Sequence, residues 1–158
     1  MRYLGIHFDR EMRIKSHCQV VGNRVGSLFD KLGRLARTRW GLSNKALSII
    51  YRGVFASTVA YAATGWAYLC SERELRVLRA VQRRILISST GAYHTTSWES
   101  LWVIAGAIPV DILLQERSAF YQLRIRRTAV IGETIVEVGE IQVKARVRRE
   151  AVKMWQTK

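Results

Sequence analysis

The chain has 158 residues, enough for one domain with a buried core, and 49% of them are hydrophobic, which excludes a chain disordered throughout. Charge is its unusual property, because 26 Lys and Arg face only 12 Asp and Glu and leave a formal net charge of +14. An excess of this size repels itself in a compact fold, so it favours an anionic partner, with nucleic acid ahead of a membrane surface or a merely basic soluble domain.

The first predicted elements are a strand and a long helix. Alternating apolar side chains over residues 3–8 are typical of a strand, and apolar residues at three- and four-residue spacing predict a helix over 14–35. A strand without partners is unstable. We therefore expect it to pair with residues 134–143 or with a partner upstream of Met1, in which case the sequence is cut at its start.

Capping residues mark the starts of the later helices. Ser71 with Glu74, and Thr96 with Glu99, have the Ser/Thr-x-x-Glu spacing of a capping box, and Ser43 suits an N-cap. Residues 133–143 are either strand or linker. The helices predicted after the first are residues 43–55, 71–87, 96–106, 109–127 and 146–156.

Neither a membrane nor the outside of the cell is indicated. The N-terminus lacks the apolar region of a signal peptide, and the uncharged stretch 53–71 is mostly small residues, typical of a buried helix rather than a membrane span. Cys18 and Cys70 are too few and too far apart in sequence for a disulfide framework. We expect an intracellular protein, nuclear or cytoplasmic, that contacts no membrane.

Side chains for catalysis or metal binding are sparse. The nearest acidic pairs are Asp9 with Glu11 and Glu72 with Glu74, which we interpret as parts of a turn and a helix N-terminus rather than Mg²⁺ ligands. The histidines and cysteines lack zinc spacing, and there is no glycine-rich phosphate loop. We predict no catalytic residue, no metal site and no small-molecule substrate on this chain.

Arginine placement gives the positive signal. At about 100° per residue, the arginines of the third helix fall in one broad arc opposite Leu75, Leu78 and Ile85, and a second group of cations follows the first helix. A solvated charged face is the alternative, although such faces usually mix both signs of charge. The predicted nucleic-acid-binding residues are Arg24, Lys31, Arg34, Arg37, Arg39, Arg73, Arg76, Arg79, Arg83 and Arg84.

Several short motifs follow one another in a specific order. Tyr3-Leu4-Gly5-Ile6 and the helix after it resemble the step from palm to thumb in reverse transcriptases of non-LTR (LINE-type) retrotransposons, type-1 elements of arthropods. The order and spacing match over roughly residues 3–125, and Trp155-Gln156 resembles the start of a later family segment. The other matching segments are Leu47–Val54, Tyr61–Trp66, Val81–Arg84, Gly91–Ser97 and Leu101–Val110.

The resemblance implies part of an RNA-directed DNA polymerase, a nucleotidyltransferase whose polyprotein usually also carries an endonuclease. The family's Tyr-x-Asp-Asp motif would lie upstream of Tyr3. We therefore expect Mg²⁺ only in the missing palm, no cofactor on this chain, and no activity of the chain alone. The implied domains are the end of the palm and its junction with the thumb in 1–12, thumb-like helices in 13–90, post-thumb helices in 91–130, and a linker with a basic C-terminal helix in 131–158.

Together these observations predict a mainly α protein, a thumb-like helical bundle with a lone N-terminal β-strand left from a palm sheet. Its partners would be the RNA and DNA of a template–primer duplex, gripped through the backbone, and the missing palm and fingers of the same polypeptide. Two alternatives stay open: a free-standing basic helical module that binds nucleic acid, and a non-functional remnant of an element.

Overall fold

The computed structural model describes residues 1–38, 44–131, 134–137 and 143–156, and these are mainly helical, as predicted. The strands are β1 (Arg2–Tyr3), β2 (Ile6–His7), β3 (Thr128–Ile131) and β4 (Thr134–Glu137). The helices are α1 (Lys15–Thr38), α2 (Asn44–Ile50), a π-helical turn (Tyr51–Ala56), α3 (Ser57–Val59), α4 (Ala63–Trp66), a 3-10 turn (Ala67–Leu69), α5 (Glu72–Thr90), α6 (Trp98–Ala105), α7 (Val110–Arg126) and α8 (Val143–Gln156).

The N-terminal run is a hairpin, so the prediction of one lone strand over residues 3–8 is wrong. Tyr3 of β1 lies opposite Ile6 of β2 in an antiparallel pair. Leu4 and Gly5 form the turn with φ values of 46° and 84°, the positive φ that a tight two-residue hairpin requires. Leu4 is consequently exposed while Ile6 is buried.

The alternative in which residues 134–143 pair with the N-terminal strand is also wrong. Residues 134–137 form β4, which pairs antiparallel with the neighbouring β3, where Val130 lies opposite Ile135. Within the described ranges, both sheets are therefore short hairpins between strands that are adjacent in sequence.

The larger hydrophobic core lies between α1, the segment from Tyr51 to Trp66, α5 and the start of α7. Phe55, Val59 and Trp66 are buried within the uncharged stretch, as the buried-helix interpretation predicted. The backbone of that stretch is broken into short turns, and the Nε1 of Trp66 donates to the carbonyl oxygen of Tyr61 at 2.8 Å. This core joins helices on both sides of residue 90, and the proposed boundary there stays a prediction.

A smaller core lies between the outer side of α7, β3 and α8. Its buried residues are Ile112, Ala119, Leu123, Ala129, Ile131, Val147 and Ala151. The guanidinium of Arg148 on α8 forms an ion pair with Glu116, a carboxylate that is buried on α7. α7 consequently contributes residues to both cores.

Helix ends follow the predicted capping chemistry at α5 but not at α6. The capping box of Ser71 and Glu74 is present, and α5 ends at Gly91, which has a positive φ. At α6 the N-cap is Ser97, whose hydroxyl accepts from the amide of Ser100 at 3.2 Å, so the predicted box starting at Thr96 is wrong by one residue. Ser43, the predicted N-cap of α2, lies outside the described residues.

The described helices differ in length and in apolar content. None of them is by itself both long and apolar enough to cross a membrane. α6 and α7 meet the length and composition criteria only when taken together, across a bend of 60°.

Candidate nucleic-acid interface

The outward side of α5 carries three of the predicted arginines in a line. Arg73, Arg76 and Arg84 are exposed, with the exposed Ala80 between them, and the spacing of three or four residues keeps them on one face. The five predicted arginines of this helix are therefore not equivalent, because these three are exposed whereas Arg79 and Arg83 are partly buried.

Two of the exposed arginines lie near carboxylates. Arg76 Nε is 3.8 Å from Glu72 Oε1, and Arg84 Nη2 is 3.4 Å from Asp30 Oδ2 on α1. Exposed ion pairs of this kind contribute little, since water and salt screen them. A phosphate group can therefore compete for these guanidinium groups at small cost.

Arg79 has a buried partner instead. Its Nε donates to both carboxylate oxygens of Asp111, at 3.0 and 3.1 Å, and the guanidinium also pairs with Glu72. Asp111 is buried at the start of α7. Hydrogen bonding to Asp111 is the main cause that raises the pKa of Arg79 above its usual range. Arg79 thus joins α5 to α7, and a phosphate would have to displace a buried carboxylate to reach it.

Arg83 is engaged with the loop before α6. Its Nη2 donates to the carbonyl oxygens of His94 at 2.8 Å and Thr96 at 2.6 Å. The guanidinium also lies 5.1 Å from the centre of the Trp98 ring, within range of a cation–π contact. These contacts give Arg83 a role in holding the loop.

The cations of α1 lie on a different surface. Arg24 and Lys31 are exposed, Arg34 and Arg37 lie on α1 in sequence, and Arg39 falls outside the described residues. Gly22 of α1 faces Val77 and Val81 of α5. Arg24 and Lys31 lie about half a turn round the helix axis from Gly22, on the side of α1 that points away from α5. The structure therefore does not gather the ten predicted residues into one patch.

A cleft of about 500 Å³ opens between the N-terminal hairpin, α1 and α3. Arg24 lines it together with Arg2, His7, His17 and Tyr61, and no Asp or Glu is among its lining residues. Burial, followed by the nearby His7, lowers the pKa of His17. Arg2 and Arg24 are the two guanidinium groups of the cleft. Arg2 was not among the predicted binding residues, because the hairpin was interpreted from sequence as one strand over residues 3–8.

A second cleft, of about 540 Å³, lies between α5, α6 and the start of α7. Its lining mixes both signs of charge, with Arg76 and Arg79 beside acidic side chains. Trp98 and Trp102 form another part of its wall. This mixture does not favour a phosphate backbone.

The acidic pairs have structural roles, which agrees with their interpretation from sequence. Asp9 Oδ1 accepts from the amides of Glu11 at 3.0 Å and Arg13 at 2.7 Å, and Glu74 accepts from the amide of Ser71 at 3.0 Å. Hydrogen bonding to the Ser71 side chain is the main cause that lowers the pKa of Glu74. In the described part of the chain, no three His, Cys, Asp or Glu side chains come together as a metal site.

The sequence is similar to proteins of type-1 retrotransposable elements. The chain is 39% identical, along its whole length, to a Retrovirus-related Pol polyprotein from type-1 retrotransposable element R1 4 of Nasonia vitripennis. The chain is a relative of the Pol polyproteins of type-1 retrotransposable elements. The resemblance stated from the motifs is thereby confirmed.

Other type-1 elements carry similar sequences. A Pol polyprotein of element R1 from Bradysia coprophila is 29% identical over 87% of the chain. A Putative 115 kDa protein in type-1 retrotransposable element R1DM of Drosophila melanogaster is 29% identical over 99% of the chain. The chain spans 41%, 14% and 16% of the lengths of these three relatives. No protein-family model and no solved structure matches this Pol-related chain.

Proposed function

We propose that this chain grips nucleic acid through its phosphate backbone, as the thumb and post-thumb part of a retrotransposon RNA-directed DNA polymerase. The observation that carries the proposal is the line of exposed Arg73, Arg76 and Arg84 on α5, in a chain of net charge +14. Phosphate contacts require guanidinium groups that reach solvent, and each contact releases counterions from the nucleic acid.

The surface around α1 supports the same proposal. Arg24 and Lys31 are exposed there, and Arg24 shares with Arg2 a cleft whose lining has no carboxylate. A groove whose walls carry one sign of charge concentrates oppositely charged ligands. Backbone phosphates therefore have a second place to bind, separate from the face of α5.

The polymerase context rests on the relatives, whose names describe Pol polyproteins. In this proposal the partners are the RNA and DNA of a template–primer duplex, together with the palm and fingers of the same polypeptide. That remainder would supply the Mg²⁺ ions and the catalytic carboxylates, and the polyprotein would add an endonuclease. The work would take place inside the cell, in the nucleus or the cytoplasm.

The test is a triple substitution of Arg73, Arg76 and Arg84 by Gln, which keeps the helix propensity and most of the side-chain length. Affinity for an RNA–DNA duplex is measured by fluorescence anisotropy over a series of salt concentrations. If the three arginines contact phosphates, the slope of log affinity against log salt flattens by roughly two to three units. Affinity falls by a similar factor for unrelated base sequences, since phosphate contacts carry no base information.

The matched control removes the same charge elsewhere. Arg117, Arg124 and Arg126 are exposed on α7, and replacing all three by Gln keeps the net charge equal to that of the α5 variant. We expect this control to change the salt slope by less than about one unit. Circular dichroism checks that both variants keep their helices. Equal slopes for the two variants would mean that the α5 face is not the gripping surface.

A further inference from the structure

The two cysteines of the chain meet in the larger core although 52 positions separate them in sequence. Cys18 lies near the start of α1 and is buried, while Cys70 follows the 3-10 turn and is half-buried. Their sulfur atoms are 3.8 Å apart and share a hydrogen bond. The two thiols are free and in contact, so separation along the sequence did not mean separation in space.

Contacts of the backbone and of neighbouring residues position both cysteines. On α1, the ring of His17 packs edge-on against Trp66, with centroids 4.9 Å apart. On the other side, the amide of Cys70 donates to Ala67 at 3.1 Å, and the next residue, Ser71, is the N-cap of α5. A disulfide bond is about 2.05 Å long, so the sulfur atoms need to approach by roughly 1.8 Å, a movement within reach of side-chain rotation and a small helix shift.

We propose that Cys18 and Cys70 are a modification site, at which a peroxide converts the two thiols into an intramolecular disulfide. The thiolate of Cys70 attacks one peroxide oxygen, the O–O bond breaks, and hydroxide leaves while Cys70 becomes a sulfenic acid. The sulfur of Cys18 then attacks the sulfur of Cys70, forming the S–S bond and expelling the hydroxyl group. The hydroxide and the expelled hydroxyl leave as water with the two thiol protons, so two thiols are oxidised and one peroxide is reduced to two waters.

The surroundings assign a different role to each cysteine. Cys70 is the more exposed of the two, so the peroxide reaches it first. The hydrogen bond from Cys18 lowers the pKa of Cys70, against the opposing effects of burial, Glu74 and Asp111. The same hydrogen bond, followed by burial, raises the pKa of Cys18. Cys70 is therefore the attacking thiolate and Cys18 the residue that resolves the sulfenic acid.

The disulfide would close the chain from residue 18 to residue 70 into a covalent loop. It would tie α1 to the start of α5, the two helices that carry most of the predicted arginines. A loop of this length restricts the unfolded chain more than the folded one, so the oxidised protein should melt at a higher temperature than the reduced protein.

The test uses the full chain, reduced and then treated with hydrogen peroxide. Remaining thiols are alkylated, and trypsin is added without reductant. Cleavage after Lys15, Arg24, Arg52 and Arg73 puts one cysteine in peptide 16–24 and the other in peptide 53–73. We expect mass spectrometry to find these two peptides linked, in a monomer that reverts with dithiothreitol. Covalent dimers, or oxidation of Cys70 to a sulfinic acid without linked peptides, would overturn the proposal.

Single variants test the assigned roles. In Cys18→Ser the sulfenic acid of Cys70 cannot be resolved, so a cyclic 1,3-dione should trap it, whereas Cys70→Ser should leave Cys18 largely unlabelled. Equal labelling of both variants would contradict the order of attack. If either variant fails to fold, the peptide map of the unchanged chain still decides whether the disulfide forms.

Discussion

Gln82 holds three parts of the larger core together from a fully buried position on α5. Its Nε2 donates to the hydroxyl oxygen of Tyr51 at 2.6 Å and to the carbonyl oxygen of Ile108 at 2.7 Å. Its Oε1 accepts from the amide of Val110 at 3.1 Å. Burial raises the pKa of Tyr51 to about 12, while the bond from Gln82 acts in the opposite direction.

We expect Gln82→Leu to lower the free energy of unfolding by about 3 kcal/mol, because it leaves several buried polar groups without a partner. Urea unfolding followed by circular dichroism measures the loss. The control is Gln19→Leu on the exposed side of α1, which should change stability by less than about 0.5 kcal/mol. Similar losses in the two variants would contradict the bridging role of Gln82.

Arg79 differs from its neighbours in what its loss should do to stability. Arg79→Gln leaves the buried carboxylate of Asp111 without its cation, and removing one partner of such a pair is strongly destabilising. We expect a loss of about 3 kcal/mol in thermal or urea unfolding, against less than about 0.5 kcal/mol for the exposed Arg73→Gln. A protein that tolerates both changes equally would show that Arg79 is free to bind nucleic acid after all.

At the scale of one element, α6 tests where its N-terminus lies. Because the hydroxyl of Ser97 accepts from the amide of Ser100, Ser97→Ala should lower the free energy of unfolding by about 1 kcal/mol. Thr96→Ala should cost less, since the hydrogen bonds of Thr96 are made by its backbone, with the amide donating to Tyr93 and the carbonyl oxygen accepting from Arg83. Urea unfolding of the two variants compares them directly, and a larger loss at Thr96 would restore the capping box predicted from sequence.

Long periodic helices could be predicted from the sequence, and tight turns could not. Apolar spacing placed α1, α5, α7 and α8 within a few residues, and the Ser71 capping box marked the start of α5. The N-terminal hairpin was not predicted, because its turn requires a positive φ at Leu4, a conformation that is expected of glycine and asparagine rather than leucine. The π-helical turn at Tyr51–Ala56 has no sequence signature that separates it from an α-helix.

For the candidate site, the sequence could predict which residues share one face of a single helix, but not which of them contact other helices. Angular position on α5 placed five arginines in one group, because the helical period takes no account of the elements packed against α5. Packing then separated them: Arg79 meets Asp111 on α7, and Arg83 meets the loop before α6. Neither contact follows from periodicity, because each joins residues far apart in sequence.

At the scale of the whole molecule, two of the scarce carboxylates hold helices together in the part of the chain that the structure describes. Asp111 and Glu116 are buried and pair with Arg79 and Arg148, which join α7 to α5 and to α8. Acidic side chains used inside the fold contribute little negative potential at the surface. The excess of positive charge is therefore presented outward, where it can attract an anionic polymer over a distance set by the salt concentration.

The position of α7 in both cores has a consequence for how the protein opens. Val110 and Leu114 belong to the larger core, whereas Ile112 and Leu123 belong to the smaller one, which also contains Val147 of α8. The amides of α7 can meet solvent only after both cores separate, while those of α8 need only the smaller core to open. Hydrogen–deuterium exchange should therefore be slowest in α7 and faster in α8, and equal protection would contradict this order. We expect β3, β4 and α8 to detach and return as one cooperative unit while the rest of the chain remains folded.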